Sequence, residues 1–462
     1  MKNSRRQFLA SVGSLAALPA FPAILSTRSP NALLSHACVG TANMAGGDLK
    51  SIASHKRTHI TALCDVDSAF LAAAHKRHPD ARIYRSWKEM LEKEGDRIDS
   101  VNVSTPDHMH APVILAALAR GKNVYAQKPL CHSLAECRAI EKLVNEKRVV
   151  TQLGTQIASW VCDRQTVAAI ESGAIGRIKH VWLFTNSGWF ANGRRAWPLP
   201  ADPVPATLDW KLWLGDQVPC RPYAKGVYHP RMWRHWCAFG SSWLGDMGSH
   251  IFSPVWLGMR LGTLGPTAVR AEVIDDKWSA TFREQFWPRM AHITWTFPGV
   301  KATGGQPFDI EWCDGPLDPK LNPTGQFLLP SEIRALAART HFKTMPLQGR
   351  VIEGEDGWIL STHFGRGAGS MPAFVMKNGK KPPVLPELPE VRSHYHEYLD
   401  CCLDGGEPRS RLNWSARFTE TIVLGNEAQL MPGHTIRWNA ETGVKTVEGY
   451  NTNGKGEASC LQ

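Results

Sequence analysis

The chain has 462 residues, 43% of them hydrophobic and 21% charged, so it is long enough for two hydrophobic cores and has a globular composition. The formal net charge is +11, yet no basic run or standard module for nucleic-acid binding is visible, which argues against a nucleic-acid partner. Eleven cysteines without a C-x-x-C pair argue against a zinc ribbon or a thioredoxin-like site.

Residues 1–30 are predicted to be an export signal. Positions 4–9 read Ser-Arg-Arg-Gln-Phe-Leu, and a mild apolar stretch follows through Ile24. This order is typical of a twin-arginine signal, and the apolar stretch is too short to span a bilayer. The alternative is a chance basic start before a short helix. We expect export to the periplasm by the twin-arginine machinery, which carries folded proteins that often hold a cofactor.

Residues 31–152 are predicted to form a Rossmann domain that binds NAD. Strand signals alternate with helix signals, and this alternation predicts a parallel sheet with right-handed crossovers. The predicted strands are 33–39, 59–64, a short strand near 83, 100–103 and 123–125. The predicted helices end at 53 and span 68–77, 87–93 and 111–120.

The turn after the first strand is a candidate phosphate-binding loop. It departs from the G-x-G-x-x-G fingerprint, because alanines stand at the second and third glycine positions. The predicted cofactor contacts in this loop are Gly40, Thr41, Ala42, Asn43 and Met44. Asp65 closes the second strand 25 residues after Gly40, where a carboxylate would accept hydrogen bonds from the adenosine ribose and favour NAD over NADP. The alternative for Asp65 is a helix N-cap.

Residues 153–445 are predicted to form an α+β domain with a large, open, mostly antiparallel sheet, which binds substrate and forms oligomers. Its strand signals lie at 177–184, 267–273, 291–297 and 358–362, and helices are predicted at 391–403 and 413–430. Fourteen of the 18 tryptophans lie between Trp160 and Trp312, which suggests a carbohydrate cleft, although core filling explains most of them. Residues 446–462 are predicted to be a flexible tail.

Three residues are candidates for catalysis. Lys128 precedes a proline where the nucleotide-binding unit ends, a position from which an ammonium could face the reacting end of a dinucleotide; the alternative is a surface lysine. Asp246 and His250 are four residues apart, so on a helix they share one face, and a carboxylate there would raise the basicity of the imidazole. A helix salt bridge, a structural histidine and a fragment of a metal site remain alternatives, although no further metal ligand is evident.

The chain resembles the Gfo/Idh/MocA family, which includes glucose-fructose oxidoreductase and inositol dehydrogenase, from about residue 33 to 438. The resemblance rests on five motifs and on a twin-arginine start, as in an exported bacterial subgroup. The motif residues are Cys64-Asp65-Val66-Asp67, Ser104-Thr105-Pro106 with His110, Gln127-Lys128-Pro129-Leu130, Gly154-Thr155-Gln156, and Gly245-Asp246 with His250. The run 228–234 also resembles that subgroup.

The resemblance implies an NAD(P)-dependent oxidoreductase that acts on a sugar, polyol or glycoside, in a homo-oligomer. In such an enzyme, Lys128 would contact the reacting hydroxyl and stabilise its developing negative charge, and His250 would act as general base beside Asp246. The family's usual glutamate before the lysine is Gln127 here. The further cofactor contacts implied are Ser104, Thr105, Pro106, His110, Gln127, Lys128 and Gln156, and candidate substrate contacts are Trp233, Arg234 and Trp236.

An alternative within the same superfamily is a redox-neutral, NAD-dependent glycosidase or lyase. Such an enzyme oxidises the sugar transiently, eliminates the aglycone and regenerates the cofactor. A retained cofactor would suit an exported enzyme of this kind, because free NAD is scarce outside the cytoplasm. No metal ion is expected in either reaction.

Overall fold

A computed structural model describes residues 32–190, 198–275, 280–363, 368–389 and 393–449. The predicted export signal at 1–30 and the end of the predicted tail, residues 450–462, lie outside the described residues. Within the described ranges, no helix is both long enough and apolar enough to cross a lipid bilayer.

The N-terminal part forms a six-stranded parallel sheet of order β3-β2-β1-β4-β5-β6. Its strands are β1 (Leu34–Val39), β2 (Thr58–Cys64), β3 (Arg82–Tyr84), β4 (Ser100–Val103), β5 (Asn123–Ala126) and β6 (Thr151–Leu153). The helices between them are α1 (Met44–Ala53), α2 (Ser68–His75), α3 (Trp87–Glu94), α4 (His110–Ala119) and α5 (Leu134–Glu146). This arrangement confirms the predicted Rossmann-like sheet.

Side-chain caps fix where several of these helices begin. Asp67 accepts from the backbone N–H of Ala69 at 2.9 Å at the start of α2, and Ser133 with Glu136 forms a capping box at the start of α5. Helix α1 differs, because Asn43 at its N-cap makes no side-chain capping bond. The first turn of α1 is therefore open to an anionic ligand.

The C-terminal part forms a nine-stranded sheet of order β13-β12-β11-β7-β10-β9-β8-β14-β15, in which only β7 and β10 pair in parallel. Its strands are β7 (Ile178–Thr185), β8 (Ala268–Ile274), β9 (Met290–Phe297), β10 (Phe308–Asp314), β11 (Gln348–Gly354), β12 (Gly357–Thr362), β13 (Ala373–Met376), β14 (Thr435–Asn439) and β15 (Val444–Glu448). The predicted, mostly antiparallel sheet is confirmed. The predicted flexible tail, residues 446–462, begins too early. Residues 446–448 are the end of β15 and pair with β14.

The helices of this part are α6 (Val161–Glu171), α7 (Trp210–Leu214), α8 (Ser249–Gly258), α9 (Ala280–Arg283), α10 (Ser331–Ala335), α11 (His394–Asp404) and α12 (Leu412–Leu430). α10 packs on one face of the larger sheet, with Trp182 and Phe184 of β7, whereas α6, α8 and α12 pack on the other face, with Val181 and Leu183 of the same strand. Between the sheet and these helices, Phe252 of α8 lies 5.6 Å from Phe418 of α12 and 5.9 Å from Trp295 of β9, measured between ring centroids. Each large aromatic residue buried in this way contributes about 1.5–3 kcal/mol to folding.

Most of the clustered tryptophans fill the interior. Nine of the 14 between Trp160 and Trp312 are buried, so core filling explains the majority of them. Trp189 is an exception, because it is only half-buried and faces a cavity.

Helix α11 returns from the C-terminal part to the smaller sheet. Tyr395, Tyr398 and Leu399 of this helix join the same hydrophobic cluster as Leu34 of β1 and Tyr125 of β5. The core of the N-terminal sheet is therefore completed by residues that lie about 240 positions beyond β6 in the chain.

Candidate active site

A cavity of about 700 Å³ opens at the carboxyl ends of the parallel strands. Its lining includes Val39, Cys64, Ser104 and Gln127, which end or follow β1, β2, β4 and β5. The strand order reverses between β1 and β4, and α/β sheets bind ligands at such a switch point. The facing wall comes from the C-terminal part, so the cavity lies between the two sheets.

Nearly all of the predicted site residues line this one cavity. They are Gly40, Thr41, Ala42, Asn43, Met44, Asp65, Ser104, Thr105, Pro106, His110, Gln127, Lys128, Gln156, Trp233, Arg234, Asp246 and His250. Trp236 is the exception and needs correction as a candidate substrate contact. Its indole is 1% exposed, packs on Tyr228 and Phe286, and donates to the carbonyl of Val227 at 3.1 Å. Trp236 is turned inward because the chain leaves the preceding 3-10 turn in an extended conformation.

Gly40 shapes the loop that opens α1. Its φ of 94° lies in the left-handed region, and a Cβ there would come within 2.3 Å of the carbonyl oxygen of Ser104. Only glycine fits this approach of two backbones. The loop thus keeps the glycine that the nucleotide fingerprint needs most, although alanines replace the other two.

The residues around this loop fit a dinucleotide. The uncapped first turn of α1 offers N–H groups to a pyrophosphate. Thr105, which follows β4 next to Ser104, has a buried hydroxyl without a hydrogen-bond partner among the described residues, and a buried polar group of this kind normally has one. A bound nucleotide would give both features partners.

Asp65 organises the same loop. One carboxylate oxygen accepts from the backbone N–H and the hydroxyl of Thr41, both at 2.9 Å, and the other accepts from the N–H of Asp67 at 3.0 Å. The cap of α2 is Asp67, so the alternative reading of Asp65 as that cap is wrong. Its carboxylate lines the cavity, where a ribose contact stays a prediction.

Lys128 is not a surface lysine, since only 11% of its side chain is exposed. Its ammonium donates to a carboxylate oxygen of Asp246, and to the backbone carbonyl of the same residue at 2.7 Å. Arg234 approaches the other carboxylate oxygen at 3.3 Å. Burial alone would raise the pKa of Asp246, but Lys128 and Arg234 together hold it well below its usual range.

His250 lies close by, but it is not hydrogen-bonded to Asp246 within the described ranges. Its Nδ1 is buried and has no hydrogen-bond partner among the described residues. Burial, and then the positive charge of Lys128, lower its pKa well below the usual value, and Asp246 opposes this only in part. Asp246 thus raises the pKa of His250 as expected, but burial and Lys128 outweigh this contribution. The imidazole is neutral at physiological pH.

The two residues lie on different kinds of helical turn. Residues Leu244–Gly248 form a π-helical turn, and α8 begins only at Ser249. The carboxylate of Asp246 contacts the ammonium of Lys128 directly. Such π turns are frequent at functional sites.

His110 braces the segment that carries Lys128. Its two ring nitrogens lie 2.7 Å from the carbonyl oxygen of Pro129 and 2.9 Å from that of Thr105. The peptide bond between Lys128 and Pro129 is cis. The histidine thereby links the ends of β4 and β5 at the cavity floor.

Two residues at the C-terminal wall were missed by sequence reasoning. The guanidinium of Arg231 lies 5.3 Å from the ring centroid of Trp189, whose indole packs at 5.3 Å on Trp243. Both Arg231 and Trp189 line the cavity. The only signal in the sequence was the run 228–234, which had been noted for its resemblance and not as a site.

Comparison with models of known families identifies the family of this chain. The model of the Gfo/Idh/MocA oxidoreductase family, NAD-binding Rossmann fold, matches residues 34–155, and that of its C-terminal alpha/beta domain matches residues 164–284. Together they match more than half of the chain. The protein belongs to the Gfo/Idh/MocA family. Its N-terminal part is accordingly the NAD-binding Rossmann domain of that oxidoreductase family.

Curated relatives in this family align over part of their length. The chain is 27% identical over 116 residues to a levoglucosan dehydrogenase of Pseudarthrobacter phenanthrenivorans, covering 25% of this chain and 29% of that protein. It is 29% identical over 158 residues to an inositol 2-dehydrogenase of Rubrobacter xylanophilus, covering 33% and 43%. It is also 28% identical over 199 residues to a glycosyl hydrolase family 109 protein of Stenotrophomonas maltophilia, covering 38% and 41%. The alignments thus span less than half of each relative.

Solved structures of the Gfo/Idh/MocA type match the fold over most of the chain. An aldose-aldose oxidoreductase of Caulobacter crescentus covers 88% of this chain and 99% of its own, with a TM-score of 0.55 and 17% identity. A levoglucosan dehydrogenase, solved with NADH and levoglucosan, covers 90% and 100%, with a TM-score of 0.54 and 15% identity. At this identity the likeness shows the shared fold alone.

Proposed function

We propose that this protein is an NAD-dependent oxidoreductase that transfers hydride to or from a carbon bearing a hydroxyl group in a sugar, polyol or glycoside. The main observation in support is that Lys128, Asp246 and His250 line the same cavity as the Gly40 loop. An ammonium, its counter-ion and a neutral imidazole at the end of a nucleotide-binding cavity suit the chemistry of an alcohol.

The chain's own residues divide the work of such a reaction. The neutral imidazole of His250 accepts the proton of the substrate hydroxyl. The ammonium of Lys128, held in place by Asp246, donates a hydrogen bond to the oxygen as negative charge develops there. When bound, NAD supplies the hydride acceptor, and the protein supplies position and electrostatics.

The substrate end of the cavity suits a sugar. Trp189 offers an aromatic face and Arg231 offers hydrogen-bond donors beside it, while Arg234 lines the same cavity over the ring of Trp233. Aromatic faces pack on the C–H faces of sugars while charged donors meet their hydroxyl groups. The levoglucosan and inositol dehydrogenases among the relatives act on substrates of this class by name, which supports the proposal.

A redox-neutral glycosidase is the second candidate. It is favoured by the similarity to the glycosyl hydrolase family 109 protein of Stenotrophomonas maltophilia. In that case a hydride would pass from the sugar to bound NAD and return after elimination of the aglycone, and the same three residues would bind the sugar hydroxyl and move its proton.

One experiment separates the two candidates. The purified protein is examined for bound nucleotide by its absorbance and is then incubated with a panel of aryl glycosides and free sugars. Net formation of NADH supports the dehydrogenase, whereas aglycone release without net NADH supports the glycosidase. Absence of nucleotide binding, together with no effect of Lys128→Ala on any turnover, refutes both.

We further propose that the protein is exported by the twin-arginine route and assembles as a homo-oligomer. The Ser-Arg-Arg-Gln-Phe-Leu start supports the first statement and family resemblance supports the second. Replacement of Arg5 and Arg6 by lysine is expected to retain the protein in the cytoplasm. Light scattering of the purified protein gives its oligomeric mass.

A further inference from the structure

Asp48, on the inner side of α1, forms a polar cluster behind the cavity wall. Its side chain is fully buried. One carboxylate oxygen accepts from the hydroxyl of Tyr395 at 2.6 Å and the other from the hydroxyl of Ser104 at 2.7 Å. The amide nitrogen of Gln127 lies 3.0 and 2.8 Å from the two oxygens. α1, β4, β5 and α11 thus each place one group at this point.

The hydrogen-bond directions favour an ionised carboxylate at Asp48. The amide of Asn102 donates to the hydroxyl oxygen of Ser104 at 2.8 Å, and the amide of Gln156 donates to that of Tyr395 at 3.3 Å. Each hydroxyl therefore directs its own proton to Asp48. The third neighbour is an amide nitrogen, which can only donate. Burial raises the pKa of Asp48, and these donors and Lys128 oppose the rise.

The carboxylate also fixes the orientation of Gln127. Because the amide nitrogen must face Asp48, the amide oxygen is directed to the backbone N–H of Lys128, 3.4 Å away. Gly154 lies flat against this amide, and a Cβ there would come within 2.9 Å of its oxygen. Gln127 is thereby held between the buried charge and the cavity that it lines.

We infer that Asp48 is a positioning residue that supplies a buried negative charge behind Gln127 and so favours binding of the oxidised, positively charged nicotinamide over the neutral reduced form. The inference rests on the proposed function. The family that this chain resembles usually has a glutamate at the position of Gln127. The structure places a carboxylate, that of Asp48, behind Gln127 and in contact with it. A negative charge in a water-poor site stabilises a nearby cation more than a neutral group.

Binding measurements on the nucleotide-free protein test this role without turnover. The dissociation constants of NAD+ and NADH are measured by calorimetry and by NADH fluorescence, and their ratio gives the shift in potential of the bound couple. Asp48→Asn is expected to weaken NAD+ relative to NADH by about tenfold, the effect of one unit charge at roughly 10 Å in an effective dielectric near 20. The double variant Asp48→Asn with Gln127→Glu returns the charge to the same contact and is expected to restore the ratio.

A matched control separates charge from structure. Tyr395→Phe removes one donor to Asp48 and keeps the carboxylate, so it is expected to lower the melting temperature while leaving the NAD+/NADH ratio within twofold of the wild type. If Asp48→Asn alone does not fold, the double variant carries the test, because its asparagine can donate to the new glutamate.

The binding measurements distinguish the role of Asp48 from the proposed function. The role of Asp48 is overturned if folded Asp48→Asn has a ratio of NAD+ to NADH dissociation constants within twofold of the wild type. It is also overturned if the double variant does not restore the wild-type ratio. A wild-type protein that binds neither nucleotide refutes the proposed function itself.

Discussion

Replacement of Lys128 by methionine tests the centre of the site, because it removes an ammonium and keeps a side chain of similar length. The side chains of Lys128 and Asp246 are only 11% and 18% exposed, so the variant leaves a largely buried carboxylate with Arg234 as its remaining cation. Removing one partner of a buried ion pair costs about 3–5 kcal/mol of unfolding free energy. Loss of a donor to a developing oxyanion lowers kcat/KM by about 10²–10³-fold.

The loss of unfolding free energy in Lys128→Met depends on pH, and the direction of this dependence follows from the pKa of Asp246. The pKa of Asp246 is depressed in the folded protein, so its pairing stabilises the fold above the ordinary carboxyl range and this stabilisation is lost as pH falls through the depressed pKa. In the variant the pKa rises and Asp246 binds a proton more readily. The difference in unfolding free energy between wild type and Lys128→Met is therefore fully present at neutral pH and narrows as pH falls below the ordinary carboxyl range toward the depressed pKa.

Urea denaturation at several pH values measures this difference, and Lys93→Met is the matched control. Lys93 pairs with Glu89 on the surface, where their side chains are 60% and 46% exposed, and exposed pairs contribute little. No measurable loss is expected for the control. Equal stability of the two variants at pH 7, or a difference for Lys128→Met that does not change with pH, would refute the reasoning.

Three further changes test the two ends of the cavity. Gly40→Ala is expected to weaken NAD binding at least tenfold, because its Cβ would meet backbone within 2.3 Å. Gly47→Ala, in the helix α1 that follows this loop, meets nothing within 4 Å and serves as the control. Asp65→Ser is expected to raise the affinity for NADP relative to NAD by about tenfold, since it removes a carboxylate that repels a 2′-phosphate; an unchanged preference in calorimetry argues against the ribose contact. Arg231→Gln is expected to raise KM for a turned-over glycoside by about tenfold with little change in kcat, since one charge-assisted hydrogen bond contributes about 1.5–3 kcal/mol; an unchanged KM would place the sugar away from Trp189.

β1, β2, β4 and β5 were predictable because each is a short apolar run bounded by turn residues, whereas β6 and five strands of the larger sheet (β10, β11, β13, β14 and β15) were not predicted. Strand β4 (Ser100–Val103) has the predicted bounds, and β1 differs by one residue at its start. The sequence also identified Lys128, Asp246 and His250 as one group, since family resemblance supplied what spacing alone could not.

Contacts between distant residues and local backbone irregularities were not predictable. Asp48 and Gln127 are 79 positions apart, and no periodicity indicates that their side chains meet. The π-helical turn at Leu244–Gly248 was also not predicted, since the four-residue spacing of Asp246 and His250 had indicated an ordinary helix. Trp236 was misplaced for a similar reason, because one extended residue after a 3-10 turn reverses the direction of a side chain.

Helix α11 has a consequence for how the protein matures. Tyr395 and Tyr398 fill the core of the first sheet, and Tyr395 also holds Asp48, yet both are made long after β6 has left the ribosome. A nascent chain that ends at Leu153 thus lacks part of its own interior, with Tyr125 uncovered. We therefore expect the core of the first sheet, and with it the wall of the nucleotide cavity that Asp48 supports, to be complete only after α11 has been synthesised.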